Sequence, residues 1–206
     1  MPGIALLTRL WLGCALLLAL GVAPAARADD IEVTEVRLSA TEDGVVLAAD
    51  FAFELNPRLV EAVANGVPLY FVVEFELTRP RWWWFDEKAA AKRMQLRLSY
   101  HALSRHYRLS TGVLQQNYGT LEEALNVLRR LRNWVVVDRA APLADATYEA
   151  ALRMRLDVTL LPKPFQLSAL TSRDLNLESP WKRVGFRPPP VPAPVESREP
   201  KEAEAK

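Results

Sequence analysis

Leu69-Tyr70-Phe71-Val72-Val73-Glu74-Phe75-Glu76-Leu77-Thr78 is the stretch on which the fold turns. Leu69, Phe71, Val73, Phe75 and Leu77 share one face, and Glu74, Glu76 and Thr78 fall on the other. This period of two belongs to a strand with one dry and one wet side. The pattern repeats outward along the chain. Val45, Leu47, Ala49, Phe51, Phe53 and Leu55 form one such face. Met94, Leu96, Leu98 and Tyr100 alternate with Arg93, Gln95, Arg97 and Ser99. Tyr148, Ala150, Leu152, Met154, Leu156, Val158 and Leu160 alternate with Glu149, Arg153, Arg155, Asp157 and Thr159. Weaker strands are expected at Ile31–Leu38, Tyr107–Ser110, Trp134–Asp138 and Leu175–Leu177.

Two short helices interrupt the strands. Asn56-Pro57 offers an N-cap with proline at the first helical position, and Gly66 offers a stop, so Pro57 to Asn65 reads as helical. Thr120 with Glu123 makes a capping box. Leu121, Ala124, Leu125, Leu128 and Leu131 follow at helical spacing, and Arg129, Arg130 and Arg132 crowd the end, where cations suit the helix dipole. A helix from Leu121 to Arg132 is expected. Leu161-Pro162-Lys163-Pro164-Phe165 reads as a stiff, extended exit from the longest strand. Strands outnumber helices and few crossovers are long enough for parallel pairing. The expected fold is therefore mainly β, an antiparallel β-sandwich with two short inserted α-helices. The alternative is α+β, an antiparallel sheet with both helices on one face.

The two ends of the chain read differently. Arg9 precedes an apolar run from Leu10 to Ala23, and Ala26 and Ala28 form the small-residue pattern of a signal-peptidase site. Residues 1–28 are expected to be a signal peptide cleaved near Ala28, which makes the protein periplasmic rather than membrane-spanning. Cys14 is the one cysteine and lies inside that segment, so the mature chain is expected to lack thiol chemistry and disulfides. Arg9 and Arg27 leave with it, and the formal net charge of +1 falls by two, to −1. Such a balance argues against a nucleic-acid partner. Residues 29–187 are expected to form one globular domain. Residues 188–206, dominated by prolines and charges, are expected to be a disordered tail.

Arg79-Pro80-Arg81-Trp82-Trp83-Trp84-Phe85-Asp86 is the segment least explained by packing. Four consecutive aromatics put rings on both faces of a strand, so a core accounts for half of them. The others suit an exposed surface for a ligand, glycan or protein partner, or lie under a neighbouring loop or over a sheet edge. Arg79 and Arg81 are placed to stack on nearby rings. Arg79, Arg81, Trp82, Trp83, Trp84 and Phe85 are thus the candidate binding residues.

Catalytic residues are not expected. His101 and His106 are the only histidines and flank a turn-like Ala102-Leu103-Ser104-Arg105. A metal site would need a third ligand that no spacing singles out. Ser99, Ser104 and Ser110 are near the histidines in sequence, but no glycine-bracketed nucleophile exists. With eight glycines in the chain, no phosphate-cradling loop is present either. No cofactor and no metal are expected.

Five segments in order resemble a known family: Gly66-Val67-Pro68-Leu69-Tyr70-Phe71, Arg81-Trp82-Trp83-Trp84, Leu98-Ser99-Tyr100-His101-Ala102-Leu103, Thr120-Leu121-Glu122-Glu123-Ala124-Leu125 and Leu161-Pro162-Lys163-Pro164-Phe165. Together they resemble the proteobacterial domain-of-unknown-function family 4390, described as proline-rich signal-peptide proteins. The resemblance implies a Gram-negative envelope protein. Similar proteins are encoded beside a nitrogen-regulation-type membrane sensor kinase and its response regulator, so it also implies a signalling partner. No activity or catalytic residue comes with it. The expected role is a non-enzymatic periplasmic binding or interaction module, accessory to a sensor kinase. The alternatives are a carrier of small apolar ligands or lipids and, behind it, an envelope hydrolase using His101.

Overall fold

The structure, a computed structural model, describes residues 30–81, 83, 86–141, 143–171 and 175–189. The expected signal peptide and the tail beyond residue 189 lie outside these residues, as do Trp82, Trp84 and Phe85. The described elements run β1 (Glu32–Thr41), β2 (Gly44–Ala52), α1 (Pro57–Ala64), β3 (Leu69–Arg79), β4 (Glu87–His101), β5 (His106–Thr111), β6 (Leu114–Tyr118), α2 (Leu121–Leu128), β7 (Arg130–Asp138), β8 (Tyr148–Leu156), α3 (Lys163–Thr171) and β9 (Lys182–Phe186).

The strands form two sheets, both antiparallel throughout. One has the order β1-β2-β7, and the other β6-β5-β4-β3-β8-β9. The mainly β, sandwiched arrangement expected from the alternation is present, and the single-sheet alternative is set aside. β3 is the keystone. It pairs with β4 along one edge and β8 along the other, so Leu69, Phe71, Val73, Phe75 and Leu77 are all buried at the centre of the larger sheet. Facing them are Val45, Leu47, Ala49 and Phe51 of β2 and Leu131, Trp134 and Val136 of β7, in one continuous apolar cluster. Phe75 meets Trp134 edge-on across the two sheets, ring centroids 6.3 Å apart. Non-directional burial of apolar area is what drives this pairing.

The two expected N-caps form as read. Asn56 Oδ1 accepts from the Leu59 N–H at 2.9 Å, with Pro57 at the first helical position. Thr120 and Glu123 cap each other reciprocally at the start of α2.

Four expectations need correction. The helix begun at Leu121 ends at Leu128, not Arg132, and the strand expected from Trp134 begins at Arg130. The Phe51 N–H donates to the Arg129 carbonyl at 2.8 Å, and Leu131 pairs with Ala49, so the β2 ladder captures the chain. Arg129 and Arg132 bond to Phe53 O and Ala49 O rather than to a helix terminus. Secondly, the strand from Tyr148 stops at Leu156. Asp157 accepts from the Thr159 N–H and hydroxyl and caps a short 3-10 turn, Val158–Leu160. Thirdly, Pro162 and Pro164 open α3 instead of an extended exit, because the first turn of a helix has no use for the missing proline N–H. Fourthly, Leu175–Leu177 is not a strand. Leu177 and the two residues after it are held against β8 by isolated bonds, Leu156 N–H to Leu177 O at 2.7 Å and Ser179 N–H to Met154 O at 2.8 Å, with a single bridge between Glu178 and Arg155. β6 and β9 were not expected, since neither carries a clear alternation.

Candidate functional site

Arg79 ends β3, and the described residues that follow, Pro80, Arg81, Trp83 and Asp86, belong to the loop leading to β4 rather than to the strand expected there. The register of the two strands sets Arg79 opposite Glu87, with a bulge between Leu77 and Thr78 just before the loop. Arg79 Nη2 reaches Glu87 Oε2 at 2.5 Å, and Arg81 Nη2 donates to the same oxygen. The Arg81 N–H also donates to Asp86 Oδ1 at 3.3 Å. One carboxylate therefore cinches the base of the loop between two guanidinium groups. The Arg81 hydrogen bond first, with the charges of both arginines, holds the Glu87 carboxyl below its ordinary range despite some desolvation.

Trp83 is 70% exposed on this loop. Of the other candidates, Arg79 is half-buried and Arg81 exposed, while Trp82, Trp84 and Phe85 lie outside the described residues. Both arginines are engaged by Glu87, a residue the sequence reading passed over. Its place directly across the hairpin from Arg79 is set by the strand register, which the sequence alone does not carry. A large exposed ring beside fixed cations suits recognition; acid–base chemistry would require a group free to exchange protons with a substrate.

The histidines sit at the β4–β5 turn, paired in register. His101 Nδ1 lies 3.0 Å from Ser104 Oγ, and His106 Nδ1 contacts the Ser104 carbonyl oxygen. Among the described residues neither imidazole bonds a carboxylate, and no group of three or more histidines, cysteines or acids is placed to hold a metal ion. No described helix is long and apolar enough to cross a membrane.

Two further features lie on the described surface. An open cleft of about 770 Å³ lies between α1 and α2, with Phe51, Phe53, Leu55, Val60, Leu121 and Leu125 on its walls. Arg129 stands at its rim, its guanidinium 5.5 Å from the Phe53 ring centroid and bonded to Glu122 at 2.7 Å. On the outward face of the larger sheet, Glu74 accepts from Arg153 at 2.6 Å and from Arg155 at 3.5 Å. Arg153 also lies over the Trp181 ring at 4.6 Å.

No curated protein and no solved structure matches the chain. The family described as a domain of unknown function (DUF4390) matches residues 28–185, most of the chain, and the protein belongs to that family.

Proposed function

We propose that the protein is a non-enzymatic interaction module of the periplasm, exported by residues 1–28, whose β3–β4 loop docks onto an envelope protein such as the outer domain of a membrane sensor kinase. The observation that carries this reading is the exposure of Trp83 on a loop braced by Arg79, Arg81 and Glu87. An indole held out on a rigid base loses little conformational freedom on docking, so its apolar area contributes efficiently to binding. The test places a photoreactive residue at the neighbouring exposed position 80 in living cells, with and without Trp83→Ala. One envelope protein is captured by the parent and lost with Trp83→Ala, while stability changes by less than about 0.5 kcal/mol, as for other surface substitutions. Capture that survives Trp83→Ala, or no capture in either strain, overturns the reading.

A second reading, carriage of a small apolar ligand, is supported by the cleft between α1 and α2. Solvent extraction of the purified protein and mass spectrometry decide it: a stoichiometric apolar molecule supports carriage, and an empty extract rejects it.

A further inference from the structure

β4 is fifteen residues long, but β5 pairs with it only from Leu96 to His101. The β5–β6 hairpin turns back at Gly112, whose φ of 58° is the left-handed conformation that glycine adopts without strain. Among the described residues no strand pairs with this edge of β4 from Glu87 to Gln95. The sheet therefore has a step in it, and a cleft of about 510 Å³ occupies the step.

The polar walls of that cleft come from Tyr70, Arg93, Gln95, Arg97, Ser110 and Gln115. Four of them form one rung across four strands. Tyr70 on β3 pairs with Arg97 on β4, Arg97 with Ser110 on β5, and Ser110 with Gln115 on β6. Arg97 lies 5.8 Å from the Tyr70 ring centroid and has no carboxylate partner among the described residues. Arg93 enters from the same face, its exposed guanidinium 3.3 Å from Asp157.

The charge is one-sided for a reason visible in the chain. Six lysines and arginines and both histidines lie between Lys88 and Leu121, and no acid does. Glu74 and Asp157, on the β8 side of this face, are already bonded to Arg93, Arg153 and Arg155. A chain with a net charge of only +1 has thus gathered an uncompensated cation into a concave notch, where hydroxyl and amide groups share the walls with Met94 and Trp134.

We propose that this step binds an acidic saccharide, a sugar bearing a carboxylate or phosphate group. Arg97 offers a planar fork of donors that matches either acid group bidentately. Ser110, Gln95 and Gln115 offer both donors and acceptors, as sugar hydroxyls require. A net charge of only +1 lacks the broad basic face that a nucleic acid requires, which favours a saccharide over a nucleic acid. The site is independent of the Trp83 loop. Glu87 and Arg97 are ten positions apart on one strand, about 33 Å at a strand's rise per residue.

Calorimetric titration of the purified protein tests the assignment, with tetragalacturonate and glucose 6-phosphate as acidic probes, maltotetraose as the neutral one and inorganic phosphate as the bare anion. An acidic saccharide binds saturably and more weakly as salt is raised, and maltotetraose does not bind. Arg97→Ala weakens binding about tenfold or more, Arg97→Lys recovers part of it, and Trp83→Ala leaves it unchanged. Gln115→Ala, on the exposed edge strand, gives a second reading of the site should Arg97→Ala unfold the protein. Failure of both acidic saccharides to bind, equal affinity for inorganic phosphate, or binding indifferent to Arg97 and Gln115 overturns the proposal.

Discussion

Neutralising Glu74 should lower stability at neutral pH and leave it unchanged in acid. Glu74 lies in register with Arg93 on β4 and Arg153 on β8, and its side chain is 18% exposed. It accepts from Arg153 at 2.6 Å and more weakly from Arg155 at 3.5 Å. Glu74→Gln keeps the shape and removes the charge, leaving Asp157 to face Arg93 and Arg155. A hydrogen bond to a charged group contributes about 1.5–3 kcal/mol when buried, and an exposed pair about 0–1 kcal/mol. The arginines are a quarter to a third exposed, so the expected loss lies between these, at about 1–2 kcal/mol.

The pH dependence follows from the carboxyl. Burial raises its pKa, but the Arg153 hydrogen bond and the charges of Arg153 and Arg155 together lower it further, to below the ordinary 4.5. A group depressed in the folded state contributes its stability above the unfolded value and loses it as pH falls through the folded one. Urea melts of parent and Glu74→Gln should therefore differ at about pH 7 and converge as pH drops below about 4.5. The double variant with Arg153→Gln should recover part of the loss as a coupling energy. An equal gap at both pH values, or none at neutral pH, would refute the ion-pair account.

Two other substitutions probe the frame. Gly44→Ala, at a φ of 124°, would place a methyl group 2.1 Å from Val137 O and 2.9 Å from Arg139 N, so it should cost at least about 2 kcal/mol in a urea melt. Asn56→Ala removes the cap on the Leu59 N–H and should cost about 1 kcal/mol, a fall in Tm of about 2–4 °C for a chain of this size.

Much of the frame was legible because its determinants are local. The alternation through Leu69 to Leu77, Met94 to Tyr100 and Tyr148 to Leu156 places each side chain on a face before any partner strand is known. The caps at Asn56 and Thr120 need only neighbours three residues away. The candidate site was legible in part. Composition marked Arg79, Arg81 and Trp83 as unusual but read them as strand; Trp83 lies instead in the connection after β3, and Glu87 as the arginines' shared anchor depends on hairpin register. The cationic step was hinted at by the acid-free run from Lys88 to Leu121, yet a run of sequence does not say where a neighbouring strand will stop.

By itself, then, the amino-acid order determined the strands that carry a clear alternation, their buried faces and the starts of α1 and α2, all of which follow from spacings within a few residues. Tertiary structure decided where α2 ends, since Leu131 gains more by pairing with Ala49 than by one more helical turn. It also decided that β6 and β9 exist. β6 has four exposed residues out of five and no apolar stripe, and it is a strand because β5 offers it a ladder. Such choices rest on contacts between residues far apart in the chain, and their free energy appears only once the sheets have assembled.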